Sequence, residues 1–215
     1  MSRRKSGSRR LVCAVVALAA AHASAAWATS PDLNVIVYVH DDVSMSDDML
    51  LATRLGPWAH RMETAILPDR KVKIHFRRHL PGITDFSYAY PGSVQDWTDR
   101  IHGRRDAAIP ATDEGARNAF SLLLVRDRIV AGVMGEASLR AAIASLAGTP
   151  RVVGHELGHL LGAKHALVAK REVGFLRVCA TYMLESDGSY PSCGDYSVGN
   201  TLLIRRKMRY QGSAW

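Results

Sequence analysis

His155 and His159 stand four residues apart, with Glu156 directly after the first. On a helix that spacing stacks two side chains on one face, about one turn apart. Two imidazoles so placed can share one tetrahedral zinc ion. Glu156 lies beside the first ligand, so its carboxylate can reach a water at the metal without itself being a ligand. Gly162 follows His159 by three residues, and His165 follows Gly162 by three. In an unbroken helix His165 would stand nearly three turns from His155, roughly 15 Å along the axis and out of reach. Gly162 can take the left-handed conformation that ends a helix and turns the chain. That turn can return His165 as a third ligand. Three histidines with an open fourth position make a catalytic site, whereas a structural zinc site is closed.

The stretch Val153–His165 thus contains H-E-x-x-H-x-x-G-x-x-H, and here the chain resembles the metzincin clan of zinc endopeptidases. A bare H-E-x-x-H arises by chance in unrelated helices; the glycine and third histidine in register make the pattern specific. The competing reading is a surface helix with incidental histidines. Further on, Cys179-Ala180-Thr181-Tyr182-Met183 resembles the methionine turn of the same clan, with Met183 as its methionine. A thioether there is an adaptable apolar floor and not a ligand. The competing reading is an ordinary core methionine.

The elements that must position these residues are legible in part. Leu33–Val39 is β-branched and apolar on both faces, which predicts a central strand. Ser44, three residues before Asp47, predicts a helix N-cap. Leu51, Leu55, Trp58 and Met62 give that helix one apolar stripe, with Gly56-Pro57 expected to kink or split it before it ends ahead of Pro68. Val72, Ile74 and Phe76 alternate with polar residues in a half-exposed strand. A short strand over 85–90 and a short helix over 94–102 are expected next, then a loop over 103–118. Phe120–Val125 reads as a buried strand. Arg126-Asp127-Arg128 turns into Ile129–Met134, read as its antiparallel hairpin partner and the sheet edge. Leu139–Leu146 reads as a short helix. Thr149 as N-cap and Pro150 at the first position start the motif helix. Residues 197–210 read as a last helix, its basic end matched to the helix dipole.

Composition places the chain among globular proteins, at 47% apolar and 22% charged. The net charge of +8 includes five basic residues and no acidic one within 1–28, so the remainder carries only +3. With no basic–aromatic interleaving, a nucleic-acid partner is not expected. Residues 1–28 read as a signal peptide: a basic start, an apolar run over 11–21 too short to span a bilayer, and small-residue cleavage patterns near 25–28. Cys179 and Cys193 then remain as an even pair in an exported chain, which suggests one disulfide, with two free thiols as the alternative.

The resemblance implies an α+β, two-lobed zincin fold: a twisted mixed sheet with helices above a cleft, and a small C-terminal lobe with one helix. It implies a single catalytic domain over 29–215, its upper lobe about 29–164 and its lower lobe about 165–215. It also implies a secreted or periplasmic zinc endopeptidase, with Zn²⁺ on His155, His159 and His165 and Glu156 as general base. An edge strand at Ile129, Val130, Ala131, Gly132, Val133 and Met134 would bind extended peptide by strand addition. The expected partner is a peptide or protein substrate, met by a monomer without a stable membrane anchor. Two departures leave the subfamily open: Glu185 stands where some members have a tyrosine ligand, and Ala166 follows the third histidine where others have aspartate. The rival functions are an exported zinc-binding recognition protein without turnover, and a peptidase that processes one partner.

Overall fold

Five strands form a mixed sheet in the order β2-β1-β3-β5-β4. They are β1 (Leu33–Val39), β2 (Val72–Arg77), β3 (Phe120–Val125), β4 (Gly135–Ala137) and β5 (Ala141–Ser145). All neighbours are parallel except β4, which runs antiparallel to β5 at one edge. The computed structural model describes residues 32–108, 119–167, 170–173, 177–184 and 190–212. The leader expected at 1–28 and Glu185 lie outside the described residues. No described helix is long and apolar enough to cross a membrane.

β1 is central, as its two apolar faces require, and every second residue feeds a different core. Val35, Val37 and Val39 enter the core shared with the motif helix, while Ile36 and Tyr38 enter the opposite one. The first core is closed by a helical run over 47–66, here α1. It is built from Asp47–Leu50, Leu51–Leu55, Gly56–Arg61 and Met62–Ile66, the second and fourth pieces wound as π turns. Its N-cap is Ser46, not Ser44: the Ser46 hydroxyl accepts from the Met49 backbone N–H at 3.3 Å. Gly56-Pro57 neither splits nor ends the run. Pro57 offers no N–H to the preceding turn, and the widened π turn before it absorbs the missing bond. The Leu51 carbonyl then lies where a Cβ on residue 56 would stand, only 2.7 Å away, so glycine is needed there.

The second core packs α2 (Ser93–Ala108) and the loop before it against the other face. No strand forms over 85–90. Phe86 and Tyr88 alternate inward as in a strand, but their backbone joins no ladder. The helix foreseen over 94–102 runs on to Ala108, through part of the expected loop; residues 109–118 are outside the description.

The largest departures lie between β3 and the motif helix. Residues 129–134 do not form the edge strand. Gly132 takes φ +81°, and Val133 donates to the Val130 carbonyl at 3.0 Å, so the apolar run folds on itself as a turn. The edge begins one residue later, at Gly135. The expected helix over 139–146 is instead β5. Its alanines favour a helix in isolation, but the segment is inserted between β3 and β4 and fully buried on both faces. Small side chains there let helices from both sides approach the sheet.

The motif helix α3 (Arg151–Leu160) begins one residue after the expected start, with Pro150 at the cap position. It is followed by a single 3-10 turn, His165–Leu167, then the hairpin β6 (Lys170–Val173) and β7 (Arg177–Ala180), which the sequence reading missed. Cys179 and Cys193 are bridged, with Cα atoms 5.1 Å apart. Helix α4 (Val198–Gly212) ends the description.

One contact joins these parts. Gly154 and Gly158 are four apart on α3, so they share a face. A Cβ on Gly154 would meet the Tyr182 ring at 2.4 Å, and one on Gly158 would meet Tyr196 at 2.6 Å and the Met183 sulfur at 2.7 Å. Only glycine lets the 181–184 turn lie this close to the helix. Gly154→Ala is therefore expected to lower stability by about 1–3 kcal/mol through overpacking. Gly103→Ala on α2, where a Cβ meets nothing within 4 Å, is expected to stabilise by roughly 0.4–1 kcal/mol. Urea unfolding of both variants beside wild type checks the pair of opposite signs.

Candidate metal centre

His155 and His159 project from one face of α3, as their spacing dictates. Past Leu160 the chain turns: Gly162 takes φ +92°, and the Ala163 N–H returns to the Gly158 carbonyl at 2.8 Å. This left-handed turn closes the helix as the sequence predicts and brings His165 back over the same face. The Nε2 atoms of the three histidines lie 3.2, 2.9 and 2.9 Å apart.

Two of the rings are held from behind. His155 Nδ1 lies 2.8 Å from the Tyr182 carbonyl, and His159 Nδ1 lies 3.3 Å from the Ala163 carbonyl. A carbonyl can only accept, so each Nδ1 carries the proton and each Nε2 presents its lone pair to the cluster. Burial pushes the His155 imidazolium down to about 4, against the Tyr182 bond, which acts the other way; the neighbouring His159, His165 and Arg151 charges add to the fall. His155 is thus neutral, the form that binds metal. Lone pairs aimed at one point repel unless a cation shares them. A tetrahedral zinc with Zn–N of about 2.0–2.1 Å separates its nitrogen ligands by roughly 3.3 Å. The observed triangle fits that geometry, and these three residues could hold a metal ion.

Glu156 points into the same cleft, a space of about 870 Å³ lined by all four residues. Its Oε2 is buried and has no hydrogen-bond partner among the described residues. Burial, reinforced by the charge of Glu136, pushes its carboxyl up to about 8. The strand β4 lies directly against it: a Cβ on Gly135 would come within 2.3 Å of Glu156 Oε1. An unpartnered Glu156 Oε2 in the same cleft as three converging imidazoles suits a divalent cation.

Met183 is fully buried at the centre of a turn closed by Leu184 N–H to the Thr181 carbonyl at 3.1 Å. It sits against Gly158, beneath the helix that carries the histidines. The disulfide joins β7, which leads into this turn, to the segment at 191–193, where Cys193 N–H donates to the Ala180 carbonyl at 2.8 Å. Of the residues expected at the site, Ile129, Val130 and Ala131 do not line the cleft; Gly132, Val133 and Met134 do, from the turn rather than from a strand. Sequence reasoning missed Gly135, Gly154 and Gly158, whose roles depend on distant segments. The glycine pair at helical spacing was the one available signal.

Two other histidines are satisfied by hydrogen bonds: His40 bonds the Phe86 carbonyl at 2.9 Å, and His75 bonds Asn34 at 3.3 Å.

No family model and no curated protein sequence matches the chain. Among solved structures, its fold is similar to that of metalloproteinase-II from Bacteroides fragilis, with a TM-score of 0.57 and 15% identity. The match covers 84% of this chain and 54% of the other, so the chain spans about half the length of that structure. At this identity the likeness speaks for the fold alone, a mixed sheet packed by helices.

Proposed function

We propose that this chain is an exported zinc-dependent endopeptidase of metzincin type. The observation that carries the proposal is the convergence of three imidazole Nε2 atoms with a buried, unpartnered carboxylate in one open cleft. The fold likeness to a metalloproteinase supports it. So do the disulfide, which suits an oxidising compartment, and the sequence of residues 1–28.

His155, His159 and His165 would hold the zinc, which supplies Lewis acidity toward a peptide carbonyl and makes water a better nucleophile near neutral pH. The chain's own groups do the rest. The Tyr182 and Ala163 carbonyls keep two imidazoles in the ligating tautomer. Glu156 takes the proton of the attacking water and passes it to the departing amine. Its buried site favours the protonated acid, and the field of a bound cation would favour the carboxylate that accepts this proton. An extended peptide would add to the free side of β4, the edge that replaces the one expected at 129–134. Substrate, in this reading, is peptide or protein.

Two measurements test the proposal. Zinc content of the purified chain is expected at one ion per molecule, much reduced in His165→Ala and unchanged in His102→Ala; equal content in all three removes His165 from the ligand set. The second is cleavage of a mixture of unstructured peptides by wild type and Glu156→Ala at equal zinc occupancy. Wild type is expected to cut internal bonds, with the variant slower by about 10²–10⁴-fold. If neither cuts any peptide while both bind one equally, the chain is a zinc-dependent recognition protein instead.

A further inference from the structure

The third ligand stands outside the helix, on an exposed turn, and something other than α3 must fix it. The backbone around it is gripped by one side chain. Asn200 on α4 is fully buried. Its Oδ1 accepts from the Lys164 N–H at 2.8 Å, and its Nδ2 donates to the Lys164 carbonyl at 3.1 Å and the Leu167 carbonyl at 3.3 Å. The partners fix the orientation of the amide, because a flipped Asn200 would face donor with donor and acceptor with acceptor. Its three bonds bracket His165 on both sides.

Two neighbours complete the grip. The Ser197 hydroxyl donates to the same Leu167 carbonyl and accepts from the Asn200 N–H at 3.2 Å, capping α4 as it does so. Gly199 lies beside Leu167, whose side chain would stand at ordinary contact distance, 3.4 Å, from a Cβ there. About two turns further along, Lys207 donates to the Leu160 carbonyl at 2.7 Å, at the end of α3. Thus α4 holds the chain at both ends of the Gly162 turn.

We infer that Asn200 is a positioning residue for His165, and that through it α4 sets the geometry of the third metal ligand. The inference rests on the three histidines being the metal ligands. Asn200 touches neither metal nor substrate; it acts by making the Lys164–Leu167 backbone rigid, so that His165 reaches the cluster without paying to order its own turn. Loss of such supporting bonds typically costs about 10–100-fold in metal affinity.

The experiment measures zinc affinity of the full chain by competition with a chromophoric chelator, for wild type, Asn200→Ala, Ser197→Ala and Arg205→Ala. Arg205 is the control, because it anchors α4 elsewhere, donating to the Ile66 and Ala65 carbonyls at 2.8 and 2.9 Å. Asn200→Ala is expected to raise the zinc Kd about 10–100-fold, Ser197→Ala to raise it less, and Arg205→Ala to leave it within about twofold. The visible spectrum of the cobalt-loaded protein is expected to change in Asn200→Ala alone, a readout that a mere loss of stability does not move. In a His165→Ala background the Asn200 substitution is expected to add nothing further. An unchanged Kd in folded Asn200→Ala, or an equal loss in Arg205→Ala, overturns the inference. If Asn200→Ala does not fold, Ser197→Ala against Arg205→Ala decides by the same comparison. A wild type that binds no zinc overturns the peptidase reading itself, and is distinct from these outcomes.

Discussion

The close approach of the 181–184 turn to the motif helix is the contact on which the site depends. Two helical glycines create it, at a cost of roughly 0.5–1 kcal/mol each relative to alanine in a helix interior. In return Tyr182, Met183 and Tyr196 pack against bare helix backbone. The Tyr182 carbonyl thereby reaches the His155 ring, so the contact that brings the turn to the helix also orients this ring. The same layer ties in α1: Trp58 Nε1 donates to the Tyr196 hydroxyl at 3.0 Å, which in turn donates to the Gly154 carbonyl. A helix, a turn and a third element are thus locked through one tyrosine that is almost wholly buried.

Burial then decides the charge states, and in opposite senses. It drives the proton off His155 and onto Glu156. Both shifts favour the neutral group, as expected where water is excluded. For His155 the neutral form is the one that can bind a metal ion. For Glu156 it is the protonated acid, and a nearby divalent charge would favour the carboxylate instead. One low-dielectric pocket therefore acts on both groups. The edge strand contributes by its backbone, since Gly135 is bare where it meets the carboxylate.

The motif was legible because its chemistry is local. His155, Glu156, His159, Gly162 and His165 fall within eleven residues, and the helix period and a glycine turn suffice to bring them together. The central strand, the buried β3 and the last helix were legible for the same reason. The failures share a cause as well. Ala141–Ser145 has helical composition, and only insertion between two strands makes it β5. Residues 129–134 have the right side chains for an edge, but Gly132 turns the backbone inside the run. Phe86 and Tyr88 alternate as in a strand because they face a core, not because they pair.

What positions the site is, by contrast, written far from it. Tyr182 is 27 residues from the histidine it orients, Asn200 is 36 from Lys164, Lys207 is 47 from Leu160, and Trp58 is 138 from Tyr196. None of these partnerships is marked by residue type or local spacing. A lone asparagine in a helix reads as a surface residue until its three backbone partners are seen. Among the described residues, the segment after His165 adds no member to the histidine cluster, yet it holds the ring of one histidine and the backbone beside another. Its own position relies on the Cys179–Cys193 bridge at one end and on the packing of Ile204 and Met208 at the other. A metal bound by α3 and by the turn that α4 holds would join these two halves directly. Binding energy would then appear as folding stability, because the unfolded chain has no such site to offer.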